Sequence, residues 1–333
     1  MLKLRYLFEN YELAKNALKN WEHDDEGLDE MLSMFRISSN AIYPYMDKGA
    51  LCYLRLSPEV EKREENLLGE LEYIEYLRQN GYPAHKPLKA KNGKTLLEIS
   101  TPRGDYYASA FQGVFGTQIE DTDCSEDVIF AYGKALGFMH RLSQNYKPRT
   151  KVWSYKDVLD TINTSLVVNH APKYIMEENK SVCGALSVLS ATKENFGLVH
   201  YDFETDNVFY DDRTGSCAVI DFEDGMYNWY AADFVKAFDS LADSLMGARL
   251  ESAKQIFIKG YGTERPFAKE NEQLMPLIRR FCELYKYSRL IRVIDETFPN
   301  EIDWMTALKL KLKKDISEYE RSVYRRKREE AML

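Results

Sequence analysis

Two aspartates and an asparagine stand at spacings that suit phosphoryl transfer. Asp202 lies two positions after His200, Asn207 follows five residues later, and Asp221 ends a short apolar run. In a phosphoryl-transfer site, one carboxylate orients the attacking hydroxyl and accepts its proton. An amide and a second carboxylate hold the magnesium ion that bridges the nucleotide phosphates. The pattern indicates such a site in this part of the chain.

Short apolar segments flank this polar loop and predict how its residues meet. Residues 198–199 and 208–210 read as strands, residues 211–216 as a turn, and residues 217–220 as a returning strand. The hairpin places Asp221 beside Asn207. Two oxygen donors at neighbouring strand ends suit magnesium, which takes few protein ligands. The alternative is a polar hairpin loop with solvated carboxylates.

The N-terminal part predicts a small sheet. Residues 34–37, 41–45 and 50–56 read as strands, separated by turns at 38–40 and 47–49. Arg55 is a cation within an otherwise apolar strand. It is a candidate for holding the nucleotide phosphates; the alternative is an edge-strand arginine whose head reaches water.

The next segment predicts a helix over residues 64–81. Leu67, Leu71, Ile74 and Leu77 recur at helical spacing, and Asn80-Gly81 is a typical helix end. Glu70 adjoins this apolar stripe, so we expect it to pair with Arg55. A guanidinium can hold a carboxylate and a phosphate, although it is not equivalent to a lysine.

The order of these motifs resembles the aminoglycoside phosphotransferase and choline kinase superfamily, relatives of the eukaryotic protein kinases. The similarity covers roughly residues 30–240 and includes the turn at 38–40, Arg55, Glu70, the linker near Gln112, residues 136–142, the loop at 200–207, Asp221 and residues 232–234. It implies a protein-kinase-like α+β fold of two lobes. The N-terminal lobe has a small antiparallel sheet and one main helix, and the C-terminal lobe is large and mostly helical.

The resemblance also implies roles for individual residues. Asp202 is the catalytic base, and Asn207 and Asp221 bind magnesium. His200 and Asp233 support the catalytic loop. The nucleotide, ATP or GTP, contacts Ser38, Ser39, Asn40, Arg55, Glu70, Phe111, Gln112 and Val114. Among these, Phe111 lines the back of the adenine pocket, and the Gln112 carbonyl and the Val114 amide face the adenine edge.

Some positions depart from the protein-kinase pattern. Arg55 stands where the superfamily usually has lysine, and Tyr201 stands where a protein kinase has arginine. That arginine normally pairs with a phosphate on the activation loop, so its absence argues against a phosphorylation switch. The short distance from Asp221 to Asp233 leaves no room for a long activation segment. These features favour a small-molecule kinase.

The predicted domain organisation follows the lobes. Residues 1–111 form the N-terminal lobe with a helical N-terminal extension, in which 10–33 read as a helix and an acidic linker. Residues 112–116 form the hinge linker, and residues 117–333 form the C-terminal lobe. In that lobe, helices are predicted over 125–145, over 155–196 with a break near 169–172, and over 233–333 with breaks at 265–266 and 298–300.

The composition argues against some classes of function. The 333 residues include 45 basic and 53 acidic ones, a net charge of −8, and basic residues cluster only at 321–328, read as a solvated helix end. Nucleic-acid binding is therefore not expected. The five scattered cysteines read as buried thiols. Without a signal-peptide core or an apolar run long enough to span a membrane, we expect a cytoplasmic protein that forms no membrane contact, as a monomer or homodimer.

Candidate acceptor-binding residues lie after the catalytic loop: Asp224, Trp229, Tyr230, Asp239 and Asp243. An aromatic and carboxylate wall suits an amine-bearing ligand; the alternative for Trp229 and Tyr230 is core packing. The preferred hypothesis is Mg2+-dependent transfer of the γ-phosphate of ATP or GTP to a hydroxyl of an amine-bearing antibiotic, as in kinases of the amicoumacin or aminoglycoside type, giving resistance. The alternatives are a metabolic kinase of the homoserine, choline or methylthio-sugar type, a stress-response Ser/Thr protein kinase, and a pseudokinase.

Overall fold

The computed structural model describes residues 11–101, 104–294 and 303–330, which divide into two compact units. Of these residues, the larger unit contains 11–153 and 192–275, and the smaller unit contains 154–191 and 276–330. The chain therefore enters each unit twice. The expected lobes at 1–111 and 117–333, joined by a linker at 112–116, stay a prediction.

One antiparallel sheet forms the first part of the larger unit. Its strands are β1 (Arg36–Ile37), β2 (Ala41–Asp47), β3 (Ala50–Pro58), β4 (Lys86–Leu88), β5 (Leu97–Thr101) and β6 (Gly104–Gln112). The strand order is β1-β2-β3-β6-β4, and β5 pairs with β6. Between β2 and β3, Gly49 has a φ of +76°, which glycine adopts without strain. The sheet confirms the strands predicted over 41–45 and 50–56 and extends both.

The sequence of the segment before this sheet predicts a helix and an acidic linker over 10–33. From residue 11 on, the structure has α1 (Tyr11–Leu18), a non-helical segment that contains the acidic residues, and a second helix, α2 (Leu28–Ser33), which was not predicted. Gly27, in the left-handed conformation, precedes α2, and Met34 caps its C-terminus. Because Met34 closes the helix, the expected strand over 34–37 is reduced to Arg36–Ile37.

The helix α3 (Glu64–Gln79) follows the prediction closely. Leu67, Leu71, Ile74 and Leu77 are all buried, and Glu70 is buried with them. The helix ends at Asn80, and Gly81 continues with a φ of +80°. The hydrophobic stripe of α3 therefore carries a carboxylate into the interior.

The second part of the larger unit is mostly helical. It contains α4 (Glu126–Ser143), α7 (Ala231–Ser244), α8 (Gly247–Gly262) and the start of α9 (Lys269–Ile294). Strands β7 (Thr117–Gln118), β9 (Val208–Asp211) and β10 (Ser216–Val219) form one small sheet, and β8 (Phe196–Val199) pairs with β11 (Met226–Trp229). The predicted hairpin is confirmed, with Val208 opposite Val219. Strands β7 and β11 were not predicted.

Two hydrophobic clusters hold the larger unit together. One contains residues of α3, α4 and α8 together with Phe111, Phe203 and Val208. The other joins α1 and α2 to the sheet through Trp21, Leu32 and Tyr43, among others. The first cluster lies beneath the segments that carry the candidate site, so burial of apolar surface fixes the backbone there.

The smaller unit is formed by helices. These are α5 (Tyr155–Val168), α6 (Lys173–Ser187), the second part of α9 and α10 (Asp303–Glu330). The predicted break near 169–172 is confirmed, because α5 ends at Asn169 and Pro172 precedes α6. The break at 265–266 also falls between two helices. The break expected at 298–300 lies outside the described residues.

The basic cluster at 321–328 is only in part a solvated helix end. Glu178 on α6 is fully buried, and Arg280 holds it with contacts of 2.7 and 2.9 Å. Arg326 on α10 donates to the same carboxylate at 2.9 Å. The cluster therefore contributes to the interior of the smaller unit, which corrects the expectation of a solvated end.

All five cysteines lie within the described residues and are free thiols, three of them buried. The prediction of buried thiols therefore holds for Cys52, Cys217 and Cys282, whereas Cys124 and Cys183 are half-buried. Among the helices that the structure describes, none combines the length and the apolar character needed to cross a membrane.

Candidate active site

The loop at 200–207 connects β8 to β9 and is held by buried Asp233 at the start of α7. The Asp233 carboxylate accepts the backbone N–H of His200 at 2.9 Å and that of Tyr201 at 2.6 Å. Tyr201 has a φ of +67°, a strained value for a residue with a side chain. Two charge-assisted hydrogen bonds to the strained segment explain why the loop keeps this conformation.

A buried histidine completes the environment of Asp233. His140 on α4 donates from Nε2 to Asp233 at 2.8 Å, and its Nδ1 accepts the Tyr261 hydroxyl at 3.1 Å. Burial lowers the pKa of His140, so the ring is neutral and one nitrogen remains an acceptor. His140 is thus a satisfied core histidine.

His200 links the loop at 200–207 to the segment that carries Asp221. Its Nδ1 accepts the backbone N–H of Asp202 at 3.2 Å, which leaves Nε2 to donate to the Ile220 carbonyl at 2.9 Å. The imidazole therefore links the residue that carries the candidate base to the residue before Asp221. These are the contacts that a supporting residue makes.

Asp202 and Asn207 are in direct contact. Asn207 Nδ2 donates to Asp202 Oδ2 at 3.1 Å and to the Asp202 backbone carbonyl at 3.0 Å. Because both donor contacts use the nitrogen, the amide oxygen of Asn207 is left as an acceptor. An amide oxygen is a suitable ligand for magnesium.

Asp221 reaches the same place from the end of β10. The Ile220 N–H donates to the Asn207 carbonyl at 3.0 Å, and Asp221 has a φ of +62°. Burial, together with the nearby carboxylates of Asp202 and Glu70, raises the pKa of Asp221 to about 7. A buried carboxylate among other carboxylates is one that a divalent cation stabilises. The donor set therefore fits a hard cation such as Mg2+.

Arg55 on β3 and Glu70 on α3 form a buried bidentate pair. Arg55 Nη1 and Nη2 each donate to one oxygen of Glu70 at 2.8 Å, and Nε donates to Ser109 Oγ at 3.1 Å. The Arg55 guanidinium also lies 4.9 Å from the centre of the Phe111 ring. The predicted pairing is present, and the alternative of an arginine reaching water does not apply.

The three residues of the turn at 38–40 differ in their exposure to solvent. Ser38 is exposed and Ser39 is half-buried, whereas Asn40 is buried. Asn40 Oδ1 accepts the Ser57 hydroxyl at 2.6 Å, and Asn40 Nδ2 donates to Glu223. The Asn40 side chain thus ties the turn to the segment after Asp221.

The predicted linker follows β6. Phe111 is buried and stacks on His85 with a centroid separation of 4.3 Å, while Gln112 and Val114 are half-buried. Gly116 has a φ of +118°, and a Cβ there would lie 2.5 Å from the Tyr210 carbonyl oxygen. The glycine therefore permits a close backbone contact that no other residue allows.

The structure separates the expected acceptor-binding residues into two groups. Trp229 and Tyr230 are buried, and Tyr230 stacks on His140 at 4.2 Å, so the core alternative describes them. Asp224 is half-buried, and Asp239 and Asp243 are exposed on α7. Of these five residues, the three carboxylates are the ones that reach solvent.

Sequence reasoning missed Lys236, Glu204 and Ser240. Lys236 contacts both Glu204 and Asp202, and Ser240 bonds Thr205 in the loop. Lys236 and Ser240 follow Asp233 by three and seven positions, so all three lie on one helix face. That spacing was visible in the sequence once Asp233 was assigned to the loop.

Known proteins are similar to this chain over most of its length. The model of the phosphotransferase enzyme family matches residues 48–270. Amicoumacin kinase of Bacillus subtilis (strain 168) is 23% identical over 272 residues, which are 78% of this chain and 79% of that protein.

Solved structures are similar over nearly the whole chain. Amicoumacin kinase hAmiN in complex with AMP-PNP, Ca2+ and Ami has a TM-score of 0.75 at 20% identity, covering 93% of this chain and 94% of that one. The microcompartment-associated aminopropanol kinase has a TM-score of 0.67 at 17% identity, covering 95% and 98%. The predicted protein-kinase-like α+β fold is confirmed. Because the family model spans more than half of the chain, the protein belongs to the phosphotransferase enzyme family, as a small-molecule kinase.

Proposed function

We propose that the protein transfers the γ-phosphate of ATP or GTP to a hydroxyl of an amine-bearing small molecule in a Mg2+-dependent reaction. The observation that supports this most is the convergence of Asp202, Asn207 and Asp221 at one place in the larger unit. The buried pair of Arg55 and Glu70 stands close enough to influence the charge of Asp221.

In the proposed reaction, Asp202 orients the acceptor hydroxyl and takes its proton. The acceptor oxygen forms the new bond to the γ-phosphorus while the bond to the β,γ-bridging oxygen breaks. The Asn207 amide oxygen and the Asp221 carboxylate would hold Mg2+, which supplies positive charge to the phosphates. Positioning and charge stabilisation then provide most of the acceleration.

The remaining residues of the proposed site bind the nucleotide. Arg55 uses three of its five N–H groups on Glu70 and Ser109, so two remain for a phosphate oxygen. Ser38 and Ser39 lie in the turn that Asn40 anchors. We place the adenine edge at the carbonyl of Gln112 and the amide of Val114.

Carboxylates beside the base support an acceptor with an amine. Glu204 and Asp206 lie in the catalytic loop, and burial followed by the charge of Asp202 raises the pKa of both. Asp239 and Asp243 continue along the α7 face that carries Lys236. An ammonium group would relieve this crowding of negative charge. We therefore favour an antibiotic of the amicoumacin or aminoglycoside type, with resistance by O-phosphorylation in the cytoplasm, where free thiols persist.

A metabolic amino-alcohol kinase is the second candidate. The similarity in fold to the aminopropanol kinase favours it, because that protein is named for a smaller acceptor of the same chemistry. An amino alcohol would need fewer of the carboxylates on α7 than an antibiotic with several amines.

A panel of acceptors separates these candidates. The protein is incubated with Mg2+ and labelled ATP or GTP, together with aminoglycosides, amicoumacin, homoserine, choline, aminopropanol or a generic protein substrate. Label on an antibiotic supports the preferred assignment, and label only on an amino alcohol supports the second candidate. Transfer only to protein, or no transfer to any acceptor, overturns the proposal.

A further inference from the structure

A lysine on α7 points at the proposed base. Lys236 Nζ lies 3.4 Å from Asp202 Oδ1 and also contacts Glu204 Oε1. Its ammonium is 5.6 Å from the centre of the Tyr201 ring, a position that favours a cation. The side chain is 22% exposed, so its charge is partly screened yet accessible to a ligand at Asp202.

The backbone of α7 is fixed on both sides of Lys236. One turn earlier, Asp233 holds the N–H groups of His200 and Tyr201. One turn later, Ser240 Oγ accepts the Thr205 N–H at 3.0 Å and contacts Thr205 Oγ1 at 2.7 Å. The helix therefore binds the loop before and after Asp202. Lys236 lies between these anchors. They fix the position of its Cα, so only its side chain is free to move.

Glu204 keeps the ammonium at a distance from the base. The separation of 3.4 Å between Lys236 Nζ and Asp202 Oδ1 exceeds an ordinary hydrogen bond, whereas the contact with Glu204 is close. Asp202 Oδ2 is engaged by Asn207, so Oδ1 is the oxygen open to an acceptor hydroxyl. A cation at this distance stabilises the carboxylate without occupying its lone pair.

We propose that Lys236, tethered by Glu204, is a positioning residue for Asp202: it orients the carboxylate and offsets the negative charge that collects when a phosphoryl group approaches. This role rests on the proposed phosphoryl transfer. Lys236 does not change the proposed chemical step. The acceptor proton still passes to Asp202, and the acceptor oxygen still bonds to the γ-phosphorus as the bond to the β,γ-bridging oxygen breaks. A developing negative charge near a fixed cation is stabilised more in the transition state than in the ground state.

The test compares Lys236→Met with Lys254→Met. Lys254 is a lysine of similar exposure, 27%, that pairs with Glu251 on α8 outside the site. With the acceptor found for the wild type, Lys236→Met should lower kcat by at least about tenfold, with the Kd for the nucleotide and the melting temperature close to those of Lys254→Met. Lys236→Arg, which keeps the charge, should recover much of the loss.

A double variant excludes a purely structural role. If Lys236 served only to neutralise Glu204, then Glu204→Gln combined with Lys236→Met would restore the wild-type kcat. The proposed role predicts that the double variant stays slow. A wild-type kcat in either Lys236→Met or the double variant overturns the inference. If Lys236→Met does not fold, Lys236→Arg and Lys236→Gln are compared instead. Equal kcat values for these two variants would overturn the inference, because only arginine keeps the positive charge. An inactive wild type would instead reject the proposed function.

Discussion

Arg55 shows how one substitution in a motif changes the surrounding contacts. A lysine offers a single ammonium, whereas the Arg55 guanidinium binds both oxygens of Glu70 and also Ser109. Both side chains of the ion pair are nearly inaccessible, at 4% and 2% exposed. A buried pair of this kind is costly to break because the remaining charge has no partner.

Replacing Arg55 should therefore destabilise the fold. Arg55→Met leaves the buried Glu70 carboxylate uncompensated and should lower the free energy of unfolding by about 3–5 kcal/mol. Arg213→Met is the control, because Arg213 pairs with Asp211 at the surface and is 66% exposed. Urea denaturation measures both variants. Equal losses in the two would show that the Arg55 pair does not stabilise the larger unit.

The proposed magnesium ligands give a second prediction. Asp221→Asn removes a charge from the proposed cation site and should weaken binding of Mg2+ with nucleotide by at least about tenfold. Asp212→Asn, in the exposed turn after β9, should leave binding unchanged. Titration calorimetry with a non-hydrolysable nucleotide and Mg2+ measures both. Wild-type affinity in Asp221→Asn would place the cation elsewhere.

At the level of elements, α4 and α8 approach each other through glycine. A Cβ on Gly133 would lie 1.9 Å from the Phe257 carbonyl oxygen, and one on Gly260 would lie 2.0 Å from the Phe130 carbonyl oxygen. Neither carbonyl can move without displacing its helix. The contact holds α4 against α8, and His140 on α4 then reaches Asp233 at the start of α7.

Adding a methyl group at this contact should separate the helices. Gly133→Ala should lower the free energy of unfolding by about 1–3 kcal/mol, because the helices must shift to admit it. Gly262→Ala, at the end of α8 where a Cβ meets open space, should cost nothing measurable. Thermal unfolding of both variants is the measurement. A Gly133→Ala variant as stable as the wild type would show that α4 and α8 can move apart at little cost in free energy.

Elements differ in how far the sequence predicts them. The strands β2 and β3 and the helix α3 follow from alternation and helical spacing. The strand β7 has two residues and β11 has four, so neither shows a period of its own. Each forms because β9 or β8 offers an edge, and such long-range pairing is not visible in a local pattern.

The same limit applies to the candidate site. Asp202, Asn207, Asp221 and Asp233 are recognisable from their spacing. Lys236 shares the helical spacing of Asp233, but its partner and that of Glu223 are not visible in the sequence, because they lie in segments about 30 or more residues away, as the contacts with Asp202 and Asn40 illustrate. Trp229 and Tyr230 were placed in the acceptor site from their chemistry, and only burial reveals them as core residues.

At the level of the whole molecule, stability depends on pH because folding buries the His85 ring in its neutral form. Burial, with the charge of Arg55 adding to it, holds the pKa of His85 well below its usual range. The unfolded chain binds a proton below about pH 6.5, whereas the folded protein does not. Stability contributed by the neutral ring is therefore present above that pH and is lost as the pH falls below it.

His85→Phe tests this proton exclusion. Phenylalanine keeps the stack on Phe111 and cannot titrate, so the loss of stability between pH 7.5 and 5.5 should shrink by up to about 1.4 kcal/mol per pH unit below 6.5. His23→Phe, at a residue outside both hydrophobic clusters, is the control. Denaturant unfolding at each pH gives the comparison, and parallel pH profiles for wild type and His85→Phe would contradict the expectation.

The rate of Asp202→Asn is the most direct measurement on this enzyme. The substitution keeps the size of the side chain and removes the carboxylate that is proposed to take the acceptor proton. We predict that kcat falls by at least about 100-fold while the Kd for the nucleotide stays within about twofold of wild type. A variant that turns over at the wild-type rate would show that Asp202 is not the base and that the site performs other chemistry.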